Sequence, residues 1–164
     1  MIRRPDITDR KTINEMTAGT FSYNGIKYGS TYQEVLNELG SGEYELSYDY
    51  PETFGCEYGT TEQPVTFSFV GKKEWHRDDF FILSIDYNQL ESLDYDRTTI
   101  RKLWGPPHQT STEKPDWDDD GEFTTYHDDY GYAHFHFNQD KQLFAISYYD
   151  DNVQKKWGSL SIME

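Results

Sequence analysis

Two histidines stand two apart in Ala133-His134-Phe135-His136-Phe137, each between residues of core type. That alternation is the pattern of a strand with one buried face, so both imidazoles are expected on the other face. With His127 a few residues away, His134 and His136 are candidates for zinc ligation or acid–base work. The plainer expectation is a polar, partner-facing side, because no ligand spacing beyond the pair is visible. Histidines on such a face would make binding pH-sensitive. A second pattern, Asp116-Trp117-Asp118-Asp119-Asp120-Gly121, matches the start of a calcium loop, with oxygen ligands at alternate positions and a glycine for the sharp turn. Asp116, Asp118 and Asp120 are the candidate ligands. The twelfth position is His127, not the bidentate glutamate, and Pro115 argues against a helix leading in, so an acidic surface loop is expected. Trp117, set among Asp116, Asp118, Asp119, Asp120 and Glu122, then reads as an aromatic anchor ringed by charge.

The remaining reactive side chains point away from catalysis. Asp78-Asp79, Asp128-Asp129 and Asp150-Asp151 are adjacent carboxylates. Neighbours on a strand face opposite ways, so nothing places two of them around one reacting bond. Cys56 sits between Gly55 and Glu57 with no positive charge to lower its pKa, and a lone cysteine excludes an internal disulfide. There is no nucleophile elbow, phosphate-binding loop or dinucleotide fingerprint. The expectation is a non-enzymatic protein without cofactor.

Composition narrows the partners. Fifteen Lys and Arg against thirty Asp and Glu give a formal charge of −15 over 164 residues. Such a field repels phosphates, excluding direct nucleic-acid binding, and steers basic partners inward. Aromatics make up 17% of the chain, with fourteen Tyr, ten Phe and four Trp, which excludes disorder. Met1-Ile2-Arg3-Arg4 is not followed by the apolar stretch of a signal peptide, and no run reaches membrane-spanning length. The chain reads as cytoplasmic, with no membrane partner.

The elements that must carry these residues come in two sets. Tyr28-Gly29-Ser30-Thr31-Tyr32-Gln33-Glu34-Val35-Leu36-Asn37-Glu38-Leu39-Gly40 aligns on its last glycine with Leu93 to Gly105, about 65 residues on. Thr31 and Glu34 have capping-box spacing and Gly40 supplies a stop. A short lead-in strand precedes the first helix. Strands are expected at 44–50, 65–69 and 80–87 after it. A second helix over 97–104 is followed by strands at 123–127, 132–137 and 143–149. Ile82–Tyr87 resembles Leu143–Tyr148, so the last strands match as well. The fold class expected is α+β, with two tandem repeats, each a short helical part on an antiparallel meander. The boundaries are an N-terminal arm at 1–20, repeats at 21–90 and 91–155, and a tail at 156–164.

Ile26-Lys27-Tyr28-Gly29-Ser30-Thr31-Tyr32-Gln33-Glu34-Val35-Leu36 resembles the Gly-x-Thr-x-x-x-Val helix opening of the β-lactamase inhibitor protein family, shared with small outer-membrane-assembly lipoproteins of related fold. Ala133-His134-Phe135-His136-Phe137-Asn138, with Leu143, resembles that family's final strands, and the likeness spans about residues 21–150. It implies a pair of sheets forming a concave, aromatic-lined surface that grips another protein.

The function expected is therefore stoichiometric inhibition of a basic partner, as by an immunity protein occluding a toxin or other enzyme. The expected contact residues are Tyr48, Tyr50, Trp75, Trp117, Asp118, Asp119, Asp120, Tyr130, Tyr132, His134, His136 and Tyr148. Two alternatives stand beside it: a phage-type anti-defence protein mimicking nucleic acid, and a metal-dependent module using His134 and His136.

Overall fold

The computed structural model describes residues 4–42, 44–48, 53–72 and 74–156. A helix α1 (Arg10–Ala18) precedes a two-stranded ribbon, β1 (Ser22–Tyr23) and β2 (Ile26–Lys27). Helix α2 (Tyr32–Leu39) then leads into β3 (Tyr44–Tyr48), β4 (Thr53–Gly59), β5 (Pro64–Val70) and β6 (Phe81–Tyr87). Helix α3 (Arg97–Trp104) leads into β7 (Gln109–Glu113), β8 (Thr125–Tyr130), β9 (Ala133–Phe137) and β10 (Leu143–Tyr149). Residues 151–156 are helical. The chain is α+β, and β3 to β10 form one antiparallel sheet in the order β3-β4-β5-β6-β10-β9-β8-β7. The last strand of each meander thus meets the other at the centre.

Both sheet-facing helices are only eight residues long, too short to be stable alone. The backbone clips each one to the strand that closes its own meander. Tyr32 N–H donates to Phe80 O (2.8 Å) and Ile82 N–H to Ser30 O (2.9 Å). At α3, Arg97 N–H donates to Lys141 O (2.9 Å) and Leu143 N–H to Tyr95 O (2.8 Å). The Thr31 hydroxyl caps Glu34 N–H, and Asp96 caps Thr99 N–H, each satisfying an orphan donor of the first turn. The helices stop at Gly40 and Gly105, whose φ of 73° and 83° a side chain would resist. The freed carbonyls are taken up by the Tyr58 hydroxyl (3.0 Å, to Gly40) and the Tyr130 hydroxyl (2.8 Å, to Gly105).

One face of the sheet packs on the helices. Phe54, Tyr58, Phe67, Phe69, Tyr87, Tyr130, Phe135, Phe137 and Tyr148 are buried there, together with Val35 and Ile100 from the helices. Asp128 is the exception in charge. Its side chain is fully buried on this face, where Arg97 (2.6 Å) and Arg101 (2.9 Å) of α3 reach down to it. Burial pushes the Asp128 carboxyl up, but the hydrogen bonds from Arg101 and Arg97 outweigh it and hold it below the ordinary carboxylate range.

Several sequence expectations change. The N-terminal stretch, read as an arm or a frayed helix, packs on the body where it is described: α1 buries Ile13 and Met16, and Trp104 Nε1–H donates to Ile7 O at 3.0 Å. Helix α1 also closes on the β8–β9 turn, where a Cβ on Gly131 would meet Thr17 O at 2.6 Å. Two strands went unforeseen. Cys56 lies buried in β4 rather than in a loop, in a segment whose glycines masked its alternation. The other is β7, which is wholly exposed and so carries no apolar period. The meanders form one continuous sheet rather than a pair.

The buried Asp128 yields a direct test. Replacing it by Ala leaves half-buried Arg97 without its partner while exposed Arg101 can turn to water, so Asp128→Ala is expected to cost about 2–3 kcal/mol. Chemical denaturation at neutral pH measures this; a loss below about 1 kcal/mol contradicts the anchoring role.

Candidate functional site

Two features outside the core are built from polar side chains in fixed geometry. The first is the turn between β7 and β8. Asp118 is only 6% exposed because its carboxylate folds inward. Its Oδ1 accepts from Glu122 N–H (3.0 Å) and its Oδ2 from Phe123 N–H (2.7 Å). Asp118 N–H donates to Pro115 O (3.0 Å) and Gly121 N–H to Asp118 O (3.3 Å), with Gly121 at φ 74°. This cross-bracing sets Trp117 and Phe123 side by side, with ring centroids 5.0 Å apart. The rings are nevertheless 70% and 58% exposed. Asp116, Asp119, Asp120 and Glu122 surround them, all exposed. A shallow groove lined by Thr112, Glu113, Lys114, Pro115, Phe123 and Thr125 adjoins the pair.

The second feature crosses the sheet on the face away from the helices. Its direction follows from Asp86, which as a carboxylate only accepts. Ser147 Oγ–H therefore donates to Asp86 Oδ1 (2.6 Å), and Ser147 Oγ accepts from His136 Nε2–H (2.9 Å). Neutral His136 then offers Nδ1 as acceptor to His127 Nδ1–H at 2.7 Å. His127 Nε2 in turn faces the Thr125 hydroxyl (3.3 Å) and the Glu113 carboxylate (3.6 Å). Four strands, β8, β9, β10 and β6, are joined by one chain of donors. Burial, with His127 and His134 beside it, pushes His136 down to about 4. Burial also pushes the Asp86 carboxyl up, against the hydrogen bonds from Ser147 and Ser84. The order of groups is not a nucleophilic triad. The serine lies between carboxylate and imidazole, and its proton points to Asp86 rather than to a histidine, which is not the Ser–His–Asp order.

The expected contact residues fall into different places. Trp117, Asp119 and Asp120 lie exposed on the turn, and Trp75 is 37% exposed elsewhere. Asp118 belongs to the turn but braces it from within. Asp116, Asp118 and Asp120 do not converge: no group of three or more His, Cys, Asp or Glu gathers around one point among the described residues. Tyr130 and Tyr148 are core residues, 2% and 0% exposed, because their strand positions face the helices. Tyr132 is half-buried, with its hydroxyl on Asp150 at 3.3 Å. His134 does face away from the helices, yet it is buried: its ring stacks on Tyr149 at 3.8 Å and Nδ1 meets Asp129 at 2.8 Å. Only His136 of the pair enters the polar chain. Tyr48 pairs through its backbone with Thr53, and Tyr50 lies outside the described residues. Among the described residues, the rings of β4, β5 and β9 turn to the helices.

Sequence reasoning missed Phe123 as the partner of Trp117, placing it at the start of a strand. It also missed Asp86 and Ser147, whose only signal was a polar residue at alternate positions of otherwise apolar strands.

No family model matches the sequence, and no curated protein matches it. Among solved structures, a DUF4309 family protein (YjgB) from Bacillus subtilis is similar in fold, with a TM-score of 0.56 at 18% identity. That alignment covers 85% of this chain and 93% of the other. A cysteine-rich secretory protein (SAV1118) from Staphylococcus aureus aligns at a TM-score of 0.37 and 10% identity, over 77% of this chain and 45% of that one. The first likeness is one of fold alone, and the second is too slight to argue from. No helix among the described residues is long and apolar enough to cross a membrane.

The polar chain makes stability depend on pH. Unfolded His136 takes up a proton near its ordinary value of about 6.5, whereas in the folded protein it stays neutral down to about 4. Its contribution is therefore present above pH ~6.5 and lost as pH falls towards about 4, on the order of 3 kcal/mol. Asp86, pushed up, acts with the opposite sign, so the test is a comparison. His136→Gln keeps a donor for Ser147 and should flatten the wild-type fall in denaturation midpoint between pH 7 and 4. Equal slopes in both proteins refute the assignment.

Proposed function

We propose that this protein is a non-enzymatic, acidic binding protein that occludes a basic protein partner stoichiometrically, in the manner of an immunity protein. The observation that carries this reading is the Trp117–Phe123 pair, held exposed on a turn that Asp118 braces from inside. Large exposed aromatics leave apolar surface in water in the free protein, and they are the residue types that dominate binding energy at interfaces. Bracing lowers the ordering cost of association, because the turn need not be fixed when the partner arrives. The four exposed carboxylates around the rings match a cationic surface. The formal charge of −15 would accelerate approach of a basic partner from a distance.

Rings and charges should be separable in the kinetics. Trp117→Ala and Phe123→Ala are each expected to weaken a complex by about 2 kcal/mol or more, chiefly through faster dissociation. Asp119→Lys with Asp120→Lys should slow association and reduce its salt dependence. The measurement starts from a basic protein recovered from host lysate at one-to-one stoichiometry, followed by surface binding kinetics on the purified pair. A partner that binds the Trp117→Ala, Phe123→Ala double variant as tightly as wild type removes the turn from the interface.

A further inference from the structure

The geometry points to β7 as a docking edge, onto which an extended, basic segment of the partner adds as a ninth strand. This inference rests on the docking role proposed for the adjoining turn and names the backbone that would share the work. Strand β7 ends the sheet, pairing with β8 on one side and with no strand on the other among the described residues. Alternate N–H and C=O groups of an edge strand point away from its neighbour and remain available for pairing. Edges are commonly blunted by Pro, Lys, a bulge or a covering element. Strand β7, Gln109-Thr110-Ser111-Thr112-Glu113, has no Pro or Lys. Its five residues run in unbroken register with β8, and all are exposed.

Its position gives the edge a direction. The strand runs straight into the acidic turn, and the groove lined by Thr112, Glu113, Lys114, Pro115, Phe123 and Thr125 lies at their junction. A segment paired along β7 would thus arrive with its side chains beside Phe123 and Trp117. Backbone pairing supplies affinity in such additions and side-chain pockets supply selectivity. Charge selects the occupant. From Gln109 to Thr124 the chain carries six carboxylates (Glu113, Asp116, Asp118, Asp119, Asp120 and Glu122) against Lys114 alone. That balance favours alternating Lys or Arg on the incoming strand. It also disfavours a second copy of this chain, since each copy has a formal charge of −15.

The test uses a synthetic peptide, Arg-Thr-Val-Lys-Val-Thr-Arg, and a control in which Pro replaces both Val. Two readouts are taken on the full chain: amide hydrogen exchange along 109–113, and the indole N–H resonance of Trp117 identified with Trp117→Phe. The first peptide should slow the fast-exchanging amides of β7 by about tenfold or more and shift the indole signal. The Pro peptide should leave β7 unprotected. Protection of β7 without an indole shift would support the edge and overturn the turn as anchor. An indole shift without protection would overturn the edge while leaving the proposed docking turn standing. No response in either readout also overturns the edge. Protection that appears without peptide and grows with protein concentration would make the occupant a second copy, against the proposal.

Discussion

The pairing of β6 with β10 is the contact on which the rest of the molecule depends. Its register sets Tyr87 opposite Ile146, Asp86 opposite Ser147, Ile85 opposite Tyr148 and Ser84 opposite Tyr149. Each meander ends on a strand that would otherwise be an open edge, and joining the two ends makes one eight-stranded sheet. Because side chains alternate along a strand, this single register decides both faces at once. It sends Tyr87, Ile85, Ile146 and Tyr148 into the core beneath the helices and leaves Asp86 and Ser147 to meet on the other side. A slip of one residue would bury the carboxylate and expose the tyrosines. The Ser147–Asp86 hydrogen bond, between residues 61 apart in sequence, is the polar mark of that seam.

From the seam outward the two halves are held by matching means. A capped eight-residue helix is clipped by its first residues to the closing strand, and a glycine ends it under a tyrosine hydroxyl. The halves differ in what tightens the helix onto the sheet. Helix α2 relies on apolar and aromatic packing, as where Tyr32 meets Phe54 and Phe69. Helix α3 carries Arg97 and Arg101 down to buried Asp128 and sets Trp104 against Ile7 O. The second half is thus the more polar in its anchoring, and it bears the turn with the exposed rings. A rigid base under a short loop is what a preformed binding element needs.

Much of this was legible in the residues because the signals were local. Thr31 with Glu34, Gly40 and Gly105 marked both helices, alternation marked β3, β5 and β9, and the likeness of Ile82–Tyr87 to Leu143–Tyr148 marked β6 and β10. Strand β7 was hidden since an exposed edge has no apolar period. Strand β4 was hidden since Gly55 and Gly59 broke its pattern. Tyr130 and Tyr148 were misassigned because a tyrosine suits both core and surface, and only the phase of its strand decides. The phase did place His134 and His136 together on the face away from the helices. What covers each of them depends on Tyr149, Asp129, Ser147 and His127, all four from other strands. The turn illustrates the same limit. Trp117 among carboxylates was visible, but Phe123 joins it only because Asp118 turns inward, a choice that composition does not reveal.

Hydroxyl-radical footprinting of the complex with the native partner tests the central claim most directly, since it reads side chains one by one. The rings of Trp117 and Phe123, 70% and 58% exposed in the free chain, should oxidise readily alone and be shielded in the complex. Tyr149, half-buried on the sheet face away from the helices and off the turn, should oxidise equally in both states. Full oxidation of Trp117 and Phe123 in the complex, with shielding moved to that face, would contradict the account.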